Sequence, residues 1–103
     1  MQLDNMLLQA CKNNKKSVVQ TFLKRGGVDV NKRDESGNTP LIYACMKNAR
    51  DLVKMLLDNG ADVNLGNQKD LMPLHFAAET ASPEIIAMLA EEGAGVNWTD
   101  SNG

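Results

Sequence analysis

Residues 39–64 read TPLIYACMKNARDLVKMLLDNGADVN and set a pattern that the rest of the chain repeats. Pro40 predicts a helix start, because the first helical N–H groups have no partner and a proline there loses no hydrogen bond. Asn48 marks a turn, and a second helix follows with apolar residues at the spacing of one helical face: Leu52, Val53, Leu56 and Leu57. Gly60 ends that helix, since glycine adopts the left-handed conformation that closes helices. The segment therefore predicts two short helices joined by a turn.

The same pattern occurs once on each side of this segment. Downstream, the key residues recur 33 positions later as Pro73, Leu74, Ala77, Ile85, Ile86, Leu89, Gly93, Val96 and Asn97. Upstream, their counterparts lie 34 positions earlier as Leu7, Ala10, Cys11, Val18, Val19, Phe22, Leu23 and Gly26. One period therefore covers nearly the whole chain.

A period of 33 residues that combines Thr-Pro-Leu-His-x-Ala with two short helices is typical of ankyrin repeats, and this chain resembles the ankyrin-repeat family. Four segments carry the resemblance: 37–41 (GNTPL), 59–64 (NGADVN), 73–78 (PLHFAA) and 92–97 (EGAGVN). The resemblance implies an all-α fold, an ankyrin-repeat solenoid of stacked helix-turn-helix units with β-hairpin-like connecting loops. We term each of these loops a finger.

We predict a single ankyrin-repeat domain over residues 1–103, with repeats at about 1–31, 32–64 and 65–97. Residues 98–103 resemble the first half of another finger, so we expect further repeats or another chain to cover the C-terminal face. The first repeat lacks Thr-Pro-Leu, and we interpret it as a degenerate N-terminal cap whose outer surface tolerates water.

The first repeat also has its own local signals. We predict its first helix from Asp4 to about Lys12, with Asp4 or Asn5 as the N-cap. The polar run at 13–16 (NNKK) is interpreted as the source of the polar outer surface of this cap.

Size and composition favour such a stack. The chain has 103 residues, 43 % of them hydrophobic, and roughly three repeats suffice because each helix pair is buried against its neighbours. No apolar run approaches the ~18 residues that cross a bilayer, and the N-terminus lacks the layout of a secretory signal. We therefore predict an intracellular protein, cytoplasmic or nuclear, that does not bind membranes.

Cys11 and Cys45 occupy equivalent positions on successive first helices. Stacked helices lie ~8–10 Å apart, which exceeds the ~7 Å between Cα atoms that a disulfide can bridge. We therefore expect both cysteines to be reduced and buried, as small hydrophobic residues of the core.

The sequence argues against catalysis. His75 is the only histidine, so the chain alone cannot form a Ser-His-Asp or Cys-His arrangement, and no phosphate-binding glycine motif is present. We predict that the chain is not an enzyme and binds no cofactor and no metal. In the family this histidine bonds to a threonine three residues earlier, but here Met72 precedes His75 and Thr39 precedes Ile42. We therefore predict that neither repeat forms the bond and that both are locally loosened.

Two of the turn positions hold a residue that suits the left-handed conformation, and a third departs from the family pattern. Asn14 and Asn48 hold the turns within the first two repeats, where asparagine tolerates the left-handed conformation. The third repeat has Ala81 one place before Ser82 and Pro83, where the family prefers glycine, so its turn is either strained or shifted by one residue. Ser82 and Pro83 are the predicted N-cap and first residue of the next helix.

Charge changes sign along the chain. Residues 1–33 contain seven Lys/Arg and two Asp/Glu (+5), residues 34–66 three and five (−2), and residues 67–103 one and six (−5). Either a partner senses a basic N-terminal part and an acidic C-terminal part, or the gradient is a chance feature of a solvated surface. Nucleic-acid binding is not expected, because the lysines lack neighbouring aromatic residues for stacking.

The resemblance implies that binding uses the finger tips and the concave face of the first helices. The candidate finger residues are Arg33, Glu35, Ser36, Asn38, Gly66, Gln68, Lys69 and Leu71. The candidates on the first helices are Lys12, Asn13, Met46, Lys47, Glu79 and Thr80. Tyr43 and Phe76 either border this groove or pack between repeats, and Arg33, Tyr43, Met46 and Trp98 are the expected hot spots.

We therefore predict a protein–protein interaction module that binds another protein or a peptide. One alternative is a structural spacer or cap within a longer ankyrin array, and a third is a non-catalytic subunit of an enzyme. The family also includes substrates of asparagine hydroxylation, which implies Asn31, Asn64 or Asn97 as possible sites here.

Overall fold

The computed structural model describes residues 3–94, and six helices form three consecutive pairs within them. The helices are α1 (Leu3–Lys12), α2 (Lys16–Arg25), α3 (Pro40–Met46), α4 (Arg50–Asp58), α5 (Pro73–Glu79) and α6 (Pro83–Glu91). Helices α1, α3 and α5 pack in one row, and α2, α4 and α6 pack in a second row behind it. The described part contains no strand, so the predicted all-α solenoid is confirmed.

The stack measures 44 × 26 × 20 Å, and its core lies between successive pairs. The largest completely buried side chains come from all three pairs: Leu7, Leu41, Ile42, Leu52, Leu56, Ile85 and Leu89. None of the helices between residues 3 and 94 is long and apolar enough to span a membrane.

Two helix starts follow the sequence signals. The Thr39 hydroxyl accepts the N–H of Ile42 at 3.2 Å, directly before Pro40 opens α3. The Ser82 hydroxyl likewise accepts the N–H of Ile85 at 3.3 Å before α6 begins. Both bonds satisfy a helical donor that has no partner within the helix.

The threonine of the second repeat and the histidine of the third each form a different hydrogen bond with the main chain. At the start of α5, Nδ1 of His75 accepts the backbone N–H of Met72 at 2.7 Å. Thr39 keeps its own bond to the main chain of α3. The second and third repeats therefore each retain one side-chain bond at the helix start, and their loosening stays a prediction.

The N-cap prediction for α1 is corrected. Leu3 is already helical, so Asp4 lies within the first described turn of α1 and does not cap it. The Oδ1 atom of Asp4 instead accepts the backbone N–H of Asp29 at 2.8 Å, which ties the exit of the second helix to the start of the first.

The turns inside the three pairs share one backbone conformation. Asn14, Asn48 and Ala81 have φ values of 55°, 53° and 54°. Of the two alternatives for Ala81, the strained turn is therefore the one observed, with no shift of register. An alanine in this region costs about 1–2 kcal/mol, because its Cβ approaches the following carbonyl oxygen.

Cys11 and Cys45 are completely buried and unbridged, as predicted. Burial raises the pKa of each thiol from an ordinary value of 9.0 to about 12, because the thiolate would lose its hydration. Both residues therefore remain protonated members of the core at neutral pH.

Polar bonds also connect successive pairs. The Asn31 amide accepts the N–H of Asp62 at 2.8 Å and donates to the Gly60 carbonyl at 3.4 Å. Asn31 therefore bridges the first two repeats, whereas Asn97 lies outside the described residues. Hydroxylation of any of the three asparagines stays a prediction.

Candidate protein-binding surface

The first finger is organised around Asp34. Its Oδ1 atom accepts the N–H groups of Ser36 at 3.0 Å and Asn38 at 2.9 Å, and the Tyr43 hydroxyl donates to its Oδ2 atom. Burial alone would raise the pKa of Asp34, but these hydrogen bonds and the charge of Lys12 together lower it below its ordinary value. The ionised carboxylate therefore fixes the finger at neutral pH.

The second finger repeats this arrangement with a neutral residue. Oδ1 of Asn67 accepts the N–H groups of Lys69 at 2.8 Å and Leu71 at 3.1 Å. Asp70 has a φ of 61°, in the left-handed region that Gly37 occupies at 80° in the first finger. The two fingers thus have one turn geometry with different residues at the key positions.

The two fingers also contact each other directly. The backbone N–H of Gln68 donates to the Ser36 carbonyl at 2.9 Å, and Nδ2 of Asn67 donates to Oδ1 of Asn38 at 3.0 Å. A Cβ on Gly37 would lie 2.8 Å from the backbone nitrogen of Gln68, so only glycine permits this approach. The fingers therefore form one continuous surface.

Two of the predicted contact residues turn inward. Asn38 and Tyr43 are only 8 % and 9 % exposed, and the Asn38 amide lies 3.4 Å from the Tyr43 hydroxyl. The Lys12 ammonium lies 5.8 Å from the centre of the Tyr43 ring and partly covers it. Asn38 and Tyr43 therefore expose little side-chain surface to a partner, because both hold the first finger against α3, and of the two alternatives for Tyr43 packing is the one observed.

Exposed side chains add further bonds between the fingers. The Arg33 guanidinium donates to the Gly66 carbonyl at 2.5 Å, and the Gln68 amide donates to the Glu35 carbonyl at 2.5 Å. Both side chains remain accessible at the finger tips while they connect the two loops. Their loss would therefore affect finger geometry as well as any direct contact with a partner.

A depression of about 320 Å³ lies between the fingers and the first helices. We term it the finger groove, and its lining residues are Ser36, Asn38, Met46, Asn67, Gln68, Lys69, Leu71 and Phe76. Met46 is 37 % exposed, and Leu71 and Phe76 are half-buried, which gives an apolar floor. Ser36, Gln68 and Lys69 are exposed and add polar groups. Six of the predicted site residues meet here, and Phe76 borders the groove.

A family model described as ankyrin repeats, in three copies, matches residues 7–100. The chain belongs to the ankyrin-repeat family. Ankyrin repeats are generally protein–protein interaction modules and are typically not catalytic.

Two curated relatives are similar in sequence to about half of this chain. Acyl-CoA-binding domain-containing protein 6 of Danio rerio is 38 % identical over 56 residues, which are 54 % of this chain and 19 % of that protein. A putative ankyrin repeat protein of fowlpox virus (strain NVSL) is 43 % identical over 54 residues, which are 52 % and 12 %. The chain therefore matches a small part of each relative.

The remaining predicted residues lie outside the finger groove. Lys12, Asn13, Lys47 and Glu79 are exposed along the ankyrin first helices or at their ends. Thr80 is half-buried, and its hydroxyl donates to the Ala77 carbonyl at 3.1 Å. Trp98 lies outside the described residues.

Sequence reasoning missed an apolar surface at the first ankyrin pair. Met6 and Val18 are 41 % and 42 % exposed, although this outer side was predicted to be polar. The polar run 13–16 lies around the turn between α1 and α2, so the helices themselves present the apolar side chains. The signal was available, because Val18 aligns with Leu52, a core position of the second repeat.

Proposed function

We propose that this ankyrin domain binds a partner protein or peptide across the finger groove and the neighbouring concave surface. The observation that carries the proposal is the convergence of residues from both fingers and α3 around the exposed Met46. An apolar centre with polar groups around it is the usual composition of a protein interface. Methionine also adapts its shape to a partner with little strain.

The rigidity of the fingers supports this proposal. Asp34 and Asn67 each bind two backbone N–H groups of their own finger, and the fingers are bonded to one another. A surface that is already ordered loses little conformational entropy on binding. The groove floor suits an apolar side chain of the partner, while Lys69 and Ser36 can bond to polar groups beside it.

A matched pair of variants tests the proposal. Met46→Glu places a charge in the groove, and Val18→Glu makes the same change at a similarly exposed valine on α2, away from the fingers. Proteins captured by the wild-type chain are identified by mass spectrometry, and their affinities are measured by interferometry. We expect Met46→Glu to weaken binding by about tenfold or more, as for an interface hot spot, and Val18→Glu to leave it unchanged.

Two outcomes would contradict the proposal. If Met46→Glu and Val18→Glu retain the same partner with equal affinity, the finger groove is not the binding surface. If the wild-type chain retains no specific partner, the alternative of a spacer or cap within a longer array is favoured. That alternative is supported by Met6 and Val18, which are exposed although Pro40 and Leu52 at the equivalent positions of the second pair are buried.

We also infer that the chain has no catalytic activity of its own. Cys11 and Cys45 have a pKa of about 12 and so lack a reactive thiolate at neutral pH. Nδ1 of His75 is occupied by the backbone N–H of Met72. The reduced cysteines support an intracellular location, which is likewise a proposal.

A further inference from the structure

The finger groove has one charged side chain in its lining, that of Lys69. Lys69 is exposed, and it forms no ion pair with any of residues 3–94. Three exposed carboxylates of the same fingers and first helices, those of Glu35, Asp70 and Glu79, do not line the groove. The lining therefore carries one positive charge and no negative charge.

Other polar side chains of the finger groove already have partners within the protein. The Asn67 amide donates to Oδ1 of Asn38 at 3.0 Å, and the Gln68 amide donates to the Glu35 carbonyl at 2.5 Å. Across the described residues, no hydrogen bond uses the Lys69 ammonium. This ammonium is therefore a strong hydrogen-bond donor that a ligand in the groove can still use.

The size of the finger groove fits an extended segment of a partner. A cube with the groove volume of 320 Å³ has an edge of about 7 Å, whereas a helix with its side chains is ~10–12 Å across. In an extended chain, side chains two positions apart point the same way and are separated by about 7 Å. Two such side chains can therefore enter the groove together, whereas a helix cannot.

We propose that the occupant is an extended peptide segment of a partner protein, in which an acidic residue lies two positions from a large apolar residue. The apolar side chain packs on Met46, Leu71 and Phe76, and the carboxylate binds the ammonium of the second finger. Both orders of the two residues satisfy this spacing, because side chains alternate in the same way in either chain direction. This inference rests on the proposed function and adds the chemistry of the partner.

The preference for an acidic residue is local. The whole chain has a formal net charge of −2, which by itself disfavours an acidic partner. Charges beyond ~8 Å are largely screened at physiological salt, so the charge inside the groove decides the preference there. An exposed ion pair adds little affinity, so the apolar side chain supplies most of the binding and the carboxylate supplies selectivity.

A library of random dodecapeptides displayed on phage, selected on the full chain, tests the proposal. We expect the enriched peptides to carry Asp or Glu two positions from Leu, Ile, Met or Phe, and to lack Lys and Arg there. The affinities of synthetic copies are measured by fluorescence anisotropy at low salt, where charges are screened least. Replacing the acidic residue of the peptide by its amide should weaken binding by about two- to fivefold, the range of an exposed ion pair.

A matched pair of variants identifies the charge that the peptide senses. Lys69→Glu reverses the charge in the finger groove, and Lys24→Glu makes the same change at an exposed lysine of α2 that lines a different depression. Lys69→Glu should weaken the acidic peptide by about tenfold and should prefer a peptide with Lys in place of the acidic residue. Lys24→Glu should change neither affinity. Circular dichroism verifies that both variants are folded, and loss of structure alone would not exchange the preference.

The outcomes separate this inference from the proposed function. If enriched peptides lose binding with Met46→Glu but show no acidic residue at this spacing, or if Lys69→Glu binds them as the wild type does, the inference is wrong and the groove remains the binding surface. If only a captured protein, and no peptide, depends on Met46, the partner presents a folded surface and the inference is again wrong. If neither depends on Met46, the proposed function fails together with the inference.

Discussion

The second and third repeats have the same backbone but different residues at its most restricted points. The left-handed positions of the second repeat are Gly37 and Asn48, residues that tolerate this conformation. Those of the third repeat are Asp70 and Ala81, with φ values of 61° and 54°. The repeat geometry therefore fixes the backbone conformation at these positions. The residue at each position determines how much stability is lost when the chain adopts that conformation.

This comparison places the weaker part of the stack in the third repeat. Ala81 is strained, and Met72 has no hydroxyl with which to cap α5 as Thr39 caps α3. We therefore expect local opening to begin in the third repeat rather than in the second.

The largest effect is expected at Gly37. Gly37→Ala should lower the free energy of unfolding by about 2–4 kcal/mol, because the new Cβ combines left-handed strain with a clash against the second finger. Asp70→Ala at the equivalent position should cost only about 1 kcal/mol, since the residue replaced is itself not glycine. Urea midpoints with unchanged m-values measure both. Equal losses would show that contact between the fingers does not constrain Gly37.

The turn position occupied by Asn48 and Ala81 should give a smaller effect on stability, with opposite signs in the two repeats. Asn48→Ala should destabilise the protein by about 1 kcal/mol, and Ala81→Asn should stabilise it by a similar amount, because asparagine tolerates the left-handed region better than alanine. The two changes exchange the residues of one structural position. A fall in the urea midpoint for Ala81→Asn would contradict the strain assigned to Ala81.

Periodicity in the sequence was sufficient to predict the helices, the buried cysteines and the exposed Met46, because each depends on spacing along the chain. It was not sufficient for Asn38 and Tyr43, which turn inward through bonds to Asp34 and Asn67. The bond between Asn67 and Asn38 connects two fingers across 29 residues of sequence, and the directions of all three bonds depend on how the loops pack. Spacing likewise could not decide whether the turn at Ala81 is strained or shifted by one residue, because that depends on the backbone of the neighbouring residues.

The helix starts should show a further, smaller difference. Met72→Thr should stabilise the third repeat by about 0.5–1.5 kcal/mol, since its hydroxyl can accept the N–H of His75 as Thr39 accepts that of Ile42. Thr39→Val should remove about 1 kcal/mol from the second repeat with little change in side-chain volume. Urea midpoints again measure both variants. An unchanged midpoint for Met72→Thr would indicate that the bond from Met72 N–H to His75 already secures α5.

Thiol labelling compares the burial of equivalent positions in the three repeats, and it does not depend on a change in stability. Cys11 and Cys45 should react with a soluble disulfide reagent only as fast as the protein unfolds, because burial holds their pKa at about 12. Unfolded thiols ionise near pH 9, so these groups also lower stability as pH rises from about 9 to about 12. Ala78→Cys supplies the equivalent thiol of the third repeat at an exposed position.

The cysteine of Ala78→Cys should react at the rate of an exposed thiol, and that rate should rise as the pH approaches the ordinary thiol pKa of 9.0. If this cysteine instead reacts as slowly as Cys45, position 78 is buried like its counterparts in the first two repeats. The contrast between the third repeat and the other two would then be lost.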